Sequence, residues 1–374
     1  MRADVIAIAV VFTFIAILVG ALPAVTRPTL PLGVSVPAER LDEPVIRRAI
    51  RRYRVMIAIA WLLCMVLLAV LAVTASPAWV LLAVFLFIVA QLAAYVIARR
   101  MIIRAKRDGD WYAGVPVRIA GSVSVPAEPA PVPVGWAVAS AVLLACGYIA
   151  GILLYPTLPA TVPTHWGISG QPDRWADKSV WSVFGPLFIG TVVVALLFAL
   201  SFLGRRVPIR ALPGVDAATN VRRDHAMRAA MSALIGRVMF LIALSFSWTT
   251  LALWLLPDVA GLRAGGTVAI VVLILLVVVL FVLRWRSLMR GDAATVAAER
   301  AVHATVDAPD DDRFWKAGIL YLNRDDPALF VQRRFGVGWT VNLGRPAGVV
   351  ITVLVGLLIV GLVGFVLVQA VNGG

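Results

Sequence analysis

Between Thr164 and Ser179 the chain reads THWGISGQPDRWADKS, which gathers His165, Trp166, Asp173, Arg174, Trp175, Asp177 and Lys178 into one short stretch. Residues of these types at this density can do one of two things. Indole faces can grip an apolar ligand while the flanking charges orient it, which makes a recognition loop. Alternatively the indoles lie at headgroup level with the charges solvated, which makes an interfacial lid. Composition leaves both open. An imidazole near its unperturbed pKa of about 6.5, with two carboxylates close by in sequence, would also make such a loop sensitive to mild acid.

The elements that must position this loop are apolar. The chain is 61% hydrophobic and 14% charged, against about a quarter charged in ordinary soluble domains, so a membrane protein is expected. Runs long enough to cross a hydrocarbon core, about 20 residues at a rise of about 1.5 Å each, are placed near Val5 to Ala24, Met56 to Val73, Trp79 to Ala98, Trp136 to Tyr155, Phe184 to Leu203, Leu234 to Leu256, Thr267 to Leu283 and Val349 to Gln369. The expected fold is an all-α polytopic membrane protein of about eight transmembrane helices.

The formal charge of +14 admits either nucleic acid or a positive-inside bias. Its distribution favours the second. Arg27, Arg40, Arg47, Arg48, Arg51, Arg52 and Arg54 follow the first run, whereas the turn TASPA after the second holds no basic residue. The same alternation continues along the chain, with basic clusters after the third, fifth and seventh runs. Both termini are therefore expected outside a bacterial plasma membrane, with no nucleic-acid partner. Because the charge follows the first run rather than preceding it, an uncleaved first span is expected, not a signal peptide.

By that topology the opening stretch belongs to the outer loop between spans four and five. Pro156, Pro159 and Pro163 keep the approach extended, and Gly167, Gly170 and Pro172 bend its centre. The organisation reads as a three-span N-terminal unit (1–122), a Pro-rich linker (123–135), a two-span domain (136–204) with its outer loop (156–183), two further spans (205–284), a cytoplasmic segment (285–346), and a last span with a short outer tail (347–374).

The cytoplasmic segment contains ALFVQRR and GWTVNL, which read as strands around the turn FGVG, a small β-hairpin expected at the membrane surface. The hexapeptide VSVPAE occurs at Val34 to Glu39 and again at Val123 to Glu128, in the style of a short edge strand ending at Pro. GYIAG, Gly147 to Gly151, is a small-residue face that permits close helix approach within the chain or between copies.

Several motifs are missing. There is no phosphate loop, no zinc helix of the H-E-x-x-H type and no nucleophile elbow, and the three His are widely separated, so neither catalysis nor a metal or other cofactor is expected. Cys64 and Cys146 lie in apolar runs and suggest no disulfide framework. None of the eight runs contains Asp or Glu beyond Asp4 at one edge, which disfavours a conventional ion-coupled carrier.

Two longer patterns carry a resemblance. Leu158, Pro159, Pro163, Thr164, His165, Trp166, Gly170, Pro172, Asp173, Trp175 and Lys178 resemble the signature of the uncharacterised domain shared by SdpI-type immunity proteins and related bacterial membrane proteins. The family usually has Phe and Asn after the His, where Trp166 and Gly167 stand here. Further on, Trp315, Gly318, Tyr321, Asn323, Asp326, Pro327, Gly336, Gly338, Trp339, Thr340 and Asn342 are similar to a second uncharacterised bacterial domain.

The SdpI-type resemblance implies protection against a secreted toxic peptide, and in some systems a signal that holds a repressor at the membrane. The expected function is thus a non-enzymatic membrane receptor or immunity-like module. Its candidate ligand-binding residues are His165, Trp166, Asp173, Trp175, Asp177 and Lys178, and its candidate cytoplasmic motif is Trp315, Tyr321, Asn323, Asp326, Trp339 and Asn342. Membrane lipid, an extracellular peptide and a cytoplasmic protein are the partners this reading admits. The rivals are a transporter or permease accessory subunit, using Gln91, Tyr95, Ser140 and Tyr148 along an internal path, and a membrane scaffold.

Overall fold

The structure, a computed structural model, describes residues 3–27, 29–74, 77–113, 131–166, 172–203, 217–255, 260–302 and 310–371. Its helices are α1 (Ala3–Val25), α2 (Pro44–Thr74), α3 (Pro77–Asp108), α4 (Val134–Leu154), α5 (Val180–Leu203), α6 (Ala217–Leu255), α7 (Ala260–Val302) and α8 (Pro346–Val371). Each expected apolar run falls mainly within one of them. Pro opens α2, α3 and α8, where its missing N–H costs nothing. At the start of α5, Ser179 Oγ accepts the Ser182 N–H at 3.1 Å and Ser182 Oγ accepts the Ser179 N–H at 2.9 Å, a reciprocal cap.

Six stretches are long and apolar enough to cross a bilayer: Pro44–Val70, Leu82–Asp108, Val134–Thr157, Val180–Phe202, Val221–Leu255 and Gly265–Gly291. The chain is a multi-pass membrane protein. The apolar stretches Ala9–Val25 and Pro346–Leu357 are shorter among the described residues, so six of the eight expected spans meet the length criterion.

The chain divides into two compact units. The first combines α1 to α3 with the C-terminal segment and α8. Phe12 stacks on Phe87 at 4.8 Å, the Tyr53 hydroxyl donates to Val19 O at 2.8 Å and the Trp61 indole N–H donates to Thr13 Oγ1 at 2.9 Å. After α1 the chain turns through Leu32 and Gly33, both at positive φ (48° and 73°), and Leu32, Val34 and Val36 join the same core. The first VSVPAE copy is therefore not the expected edge strand: Val34 to Pro37 are buried without strand pairing, and Ala38 and Glu39 enter a 3-10 turn with Glu39 exposed. Its amides are satisfied off any ladder: Ser35 N–H by the Asp312 carboxylate at 3.1 Å and Val36 N–H by Thr29 O at 3.1 Å. The second copy lies outside the described residues.

The C-terminal segment forms short antiparallel pairs, β3 (Trp315–Lys316) with β4 (Leu320–Tyr321) and β5 (Phe330–Gln332) with β6 (Trp339–Val341). The β5–β6 register sets Phe330 opposite Val341 and Gln332 opposite Trp339, which is the hairpin expected around FGVG, although shorter than the two runs suggested. The β3–β4 pair was not anticipated. A parallel bridge from Tyr321 to Asn342 joins the two pairs.

The second unit contains α4, α5, most of α6 and the first part of α7. The GYIAG face packs inside the chain: a Cβ on Gly147 would lie 3.2 Å from Leu187, and one on Gly151 would lie 2.4 Å from Phe184 and 2.5 Å from Trp254. Between α4 and α5 the expected bent loop is a hairpin, β1 (Thr161–Trp166) with β2 (Pro172–Asp177), broken by a bulge at His165.

Candidate functional site

The β1–β2 hairpin is seated by one apolar anchor and one cation. Val162 is buried in the core formed by Leu144, Phe184 and Leu187. Lys178, just beyond β2, donates from Nζ to Leu158 O at 2.9 Å and Tyr155 O at 3.3 Å, and stands 5.3 Å from the Tyr155 ring centre. Its backbone N–H also reaches Ala160 O at 2.8 Å. The ammonium thus ties the end of β2 to carbonyls of the short 3-10 turn that follows α4, near a helix C-terminus where a cation is favoured.

What the hairpin presents outward is aromatic and acidic. Trp175 is 57% exposed and Trp181, at the start of α5, is 67% exposed, while the Asp177 side chain is also exposed. The register sets Pro163 opposite Trp175, His165 opposite Arg174 and Thr161 opposite Asp177. The backbone therefore gathers His165, Trp175 and Asp177 on one small two-stranded sheet. The side chains of His165, Trp166 and Asp173, and the tip at 167–171, lie outside the described residues.

The C-terminal motif residues come together around one amide. Asn342 is fully buried; its Nδ2 donates to Asn323 O at 2.8 Å, Ala328 O at 3.1 Å and Asp326 O at 3.2 Å. Its Oδ1 accepts from Gly344 N at 2.9 Å and Asn323 N at 3.1 Å. The Tyr321 hydroxyl donates to Asp326 Oδ2 at 2.8 Å, accepts from Asn323 Nδ2 at 3.2 Å, and its ring lies 4.9 Å from that of buried Trp315. Trp339 stands in β6, half-buried. In this arrangement five of the six residues close the loop between β4 and β5, hold it to the start of α8, or pack beneath it.

One cluster was not foreseen. Within the first unit, Lys106 near the end of α3 bonds Asp312 at 2.6 Å and Asp310 at 2.7 Å, and Arg334, 4% exposed, pairs with Asp311 and Asp312. The Tyr95 hydroxyl lies 3.0 Å from Ala317 O and 3.3 Å from Leu32 O, and Phe335 stacks on Tyr95 at 4.7 Å. Arg99 is also buried here. Burial, and next the Arg99 charge, push the Arg334 guanidinium down to about 9, so it remains a cation at neutral pH. The DDDR run and the basic end of α3 were both visible in the sequence, but nothing local paired them.

Residues 142–191 match the family described as Domain of unknown function (DUF1648). This stretch runs from within α4 through the hairpin into α5. Residues 324–349 match a second, described as Family of unknown function (DUF5808), which spans the Asn342-centred loop, β5, β6 and the start of α8. No curated protein and no solved structure matches the chain. Among the described residues no group of three or more His, Cys, Asp or Glu stands close enough to hold a metal.

Proposed function

We propose that this multi-pass membrane protein is a non-enzymatic receptor or immunity-like module of the bacterial plasma membrane, with both termini outside and the β1–β2 hairpin as its ligand-sensing element. The observation that carries the reading is the exposure of Trp175 and Asp177 on a hairpin whose base is secured by Lys178, with Trp181 exposed just beyond it at the start of α5. A two-stranded sheet has unpaired edges, which an extended peptide can extend by main-chain hydrogen bonds while the indoles hold its apolar side chains. The resemblance of the same stretch to SdpI-type immunity proteins points to a toxic peptide as the ligand class.

The test is survival of cells with and without the gene under peptide-toxin and envelope-stress challenge, repeated with Trp175→Ala and Asp177→Asn. Loss of protection in both the deletion and the variants is the expected result. Protection lost on deletion but kept by both variants would overturn the hairpin as the sensing element.

A scaffold is the second reading, supported by the extent to which the C-terminal segment is bonded to α3. Three of the four polar groups named for a transporter path are engaged with neighbours: Tyr95 with two carbonyls, Ser140 with Trp136 O at 2.7 Å and Tyr148 with Thr191 at 3.0 Å. Capture of one stoichiometric partner with no toxin phenotype would favour the scaffold.

A further inference from the structure

The first three turns of α2 carry Arg47, Arg48, Arg51, Arg52 and Arg54, all exposed, while Ile46, Ala49 and Tyr53 among them face the core. On α3 the alternation repeats, with Arg99 buried and Arg100 and Arg104 exposed. Ala49 and Tyr53 share a core with Ala98 and Ile102, so both arginine rows stand at the same end of the helix pair. This crowding is unfavourable for the protein alone. Arg47 and Arg51, Arg48 and Arg52, and Arg100 and Arg104 are like charges one helical turn apart, and Arg47 and Arg48 also stand near the positive end of the α2 dipole. Among the described residues, no carboxylate pairs with any of these seven, and Glu43 before α2 is bonded to Arg40 at 2.9 Å.

Along the same side of α2 the exposed surface changes from cationic to apolar. Arg48 and Arg52 are followed at helical spacing by exposed Val55, Ile59, Leu62, Leu63 and Val66. A ligand that satisfies both parts needs a phosphate or other anion at one end and hydrocarbon at the other.

We propose that this end of the α2–α3 pair is a binding site for an anionic phospholipid, its headgroup phosphate held by Arg47, Arg48, Arg51 and Arg52 and an acyl chain lying along Val55, Ile59, Leu62 and Val66. Guanidinium forks suit phosphate oxygens. The proposal rests on the multi-pass membrane reading and assigns to named residues what a general positive-inside bias would spread over every cytoplasmic loop.

The experiment is native mass spectrometry of the full chain in detergent, with phosphatidylglycerol and phosphatidylcholine of identical acyl chains. The wild-type protein is expected to retain phosphatidylglycerol in preference, and R47Q/R48Q/R51Q/R52Q to lose at least about tenfold in affinity for it, given the attraction each basic residue has for an anionic leaflet. The milder R51Q/R52Q variant is expected to lose a smaller part, and R284Q/R286Q/R290Q, which removes arginines from α7, to retain the preference. Circular dichroism melts establish that each variant is folded.

Equal retention of the two lipids would overturn the proposal while leaving the membrane reading intact. Unchanged retention by the quadruple variant, or an equal loss from the α7 variant, would also overturn it. Soluble glycerol phosphate is expected not to displace the lipid; displacement would rule out a lipid as the occupant.

Discussion

Lys106 and Asp312 stand 206 positions apart in the chain, yet Lys106 Nζ lies 2.6 Å from Asp312 Oδ2. Their side chains are only 11% and 21% exposed. Breaking one partner of such a pair leaves the other charge in a low-dielectric setting, which costs more than the pair itself contributes.

Lys106→Met is therefore expected to weaken docking of the C-terminal segment on α3 by about 2–5 kcal/mol. Hydrogen exchange of the amides between Trp315 and Val341 reads the loss. A double-mutant cycle with Asp312→Asn should show coupling of about 1–3 kcal/mol; additive effects would mean that the two groups do not act on each other.

The turn between β3 and β4 offers a paired comparison. Gly318 has φ 72°, and a Cβ there would meet Arg99 Nε at 2.5 Å and Tyr95 Oη at 2.6 Å, whereas Gly336 has φ 85° with only Leu22 nearby at 3.5 Å. Gly336→Ala should cost only the left-handed backbone penalty of about 1–2 kcal/mol. Gly318→Ala adds a collision to the same penalty and should cost clearly more. Equal losses in thermal unfolding would show that the Gly318 contact is loose.

Asn342→Ala removes an amide that serves five backbone groups. Three carbonyls lose a donor and two N–H groups lose an acceptor, so destabilisation of at least about 3 kcal/mol is expected. Asn342→Asp keeps the acceptor but not the donors and should be no better. Proteolysis between β4 and β5 should appear in both variants and be absent from the wild type.

On the hairpin, the structural role and the proposed recognition role can be tested by separate substitutions. Lys178→Met removes the ammonium from the Tyr155 and Leu158 carbonyls and should cost about 1–2 kcal/mol of local stability, seen as faster exchange in β1 and β2. Asp177→Asn, on an exposed side chain, should change stability by less than about 0.5 kcal/mol while abolishing ligand response. A stable Asp177→Asn protein with full response would remove Asp177 from the site.

The helices were legible because burial in hydrocarbon leaves an unambiguous trace: a run of Ala, Val, Leu and Ile about 20 residues long admits few other structures. The β5–β6 hairpin was legible for a similar local reason, since FGVG supplies the turn and Gly336 takes a positive φ within it. The β1–β2 hairpin was not, because four Pro and two Gly suggested an irregular path and mask the period-two alternation that marks a strand. In fact Pro163 is accommodated within β1. The docking of the C-terminal segment was least legible. It depends on Asp310 and Asp312 meeting Lys106, and on Gly33 and Gly318 approaching the Tyr95 hydroxyl, and charge or glycine content carries no record of its distant partner.

The division of the chain into two units has a consequence for biosynthesis. The first unit is made from Met1–Pro126 and Arg286–Gly374 together with Val207–Arg222, and the second is encoded between those two outer pieces. At about 5–20 residues per second, Lys106 leaves the ribosome about 10–40 s before Asp312 does. Throughout that interval Lys106 has neither Asp310 nor Asp312 to meet, and the translocon must hold or release α1 to α3 as an unfinished half. An internal insertion that slows elongation should lengthen the exposure of this half to proteolysis without altering any contact in the finished protein.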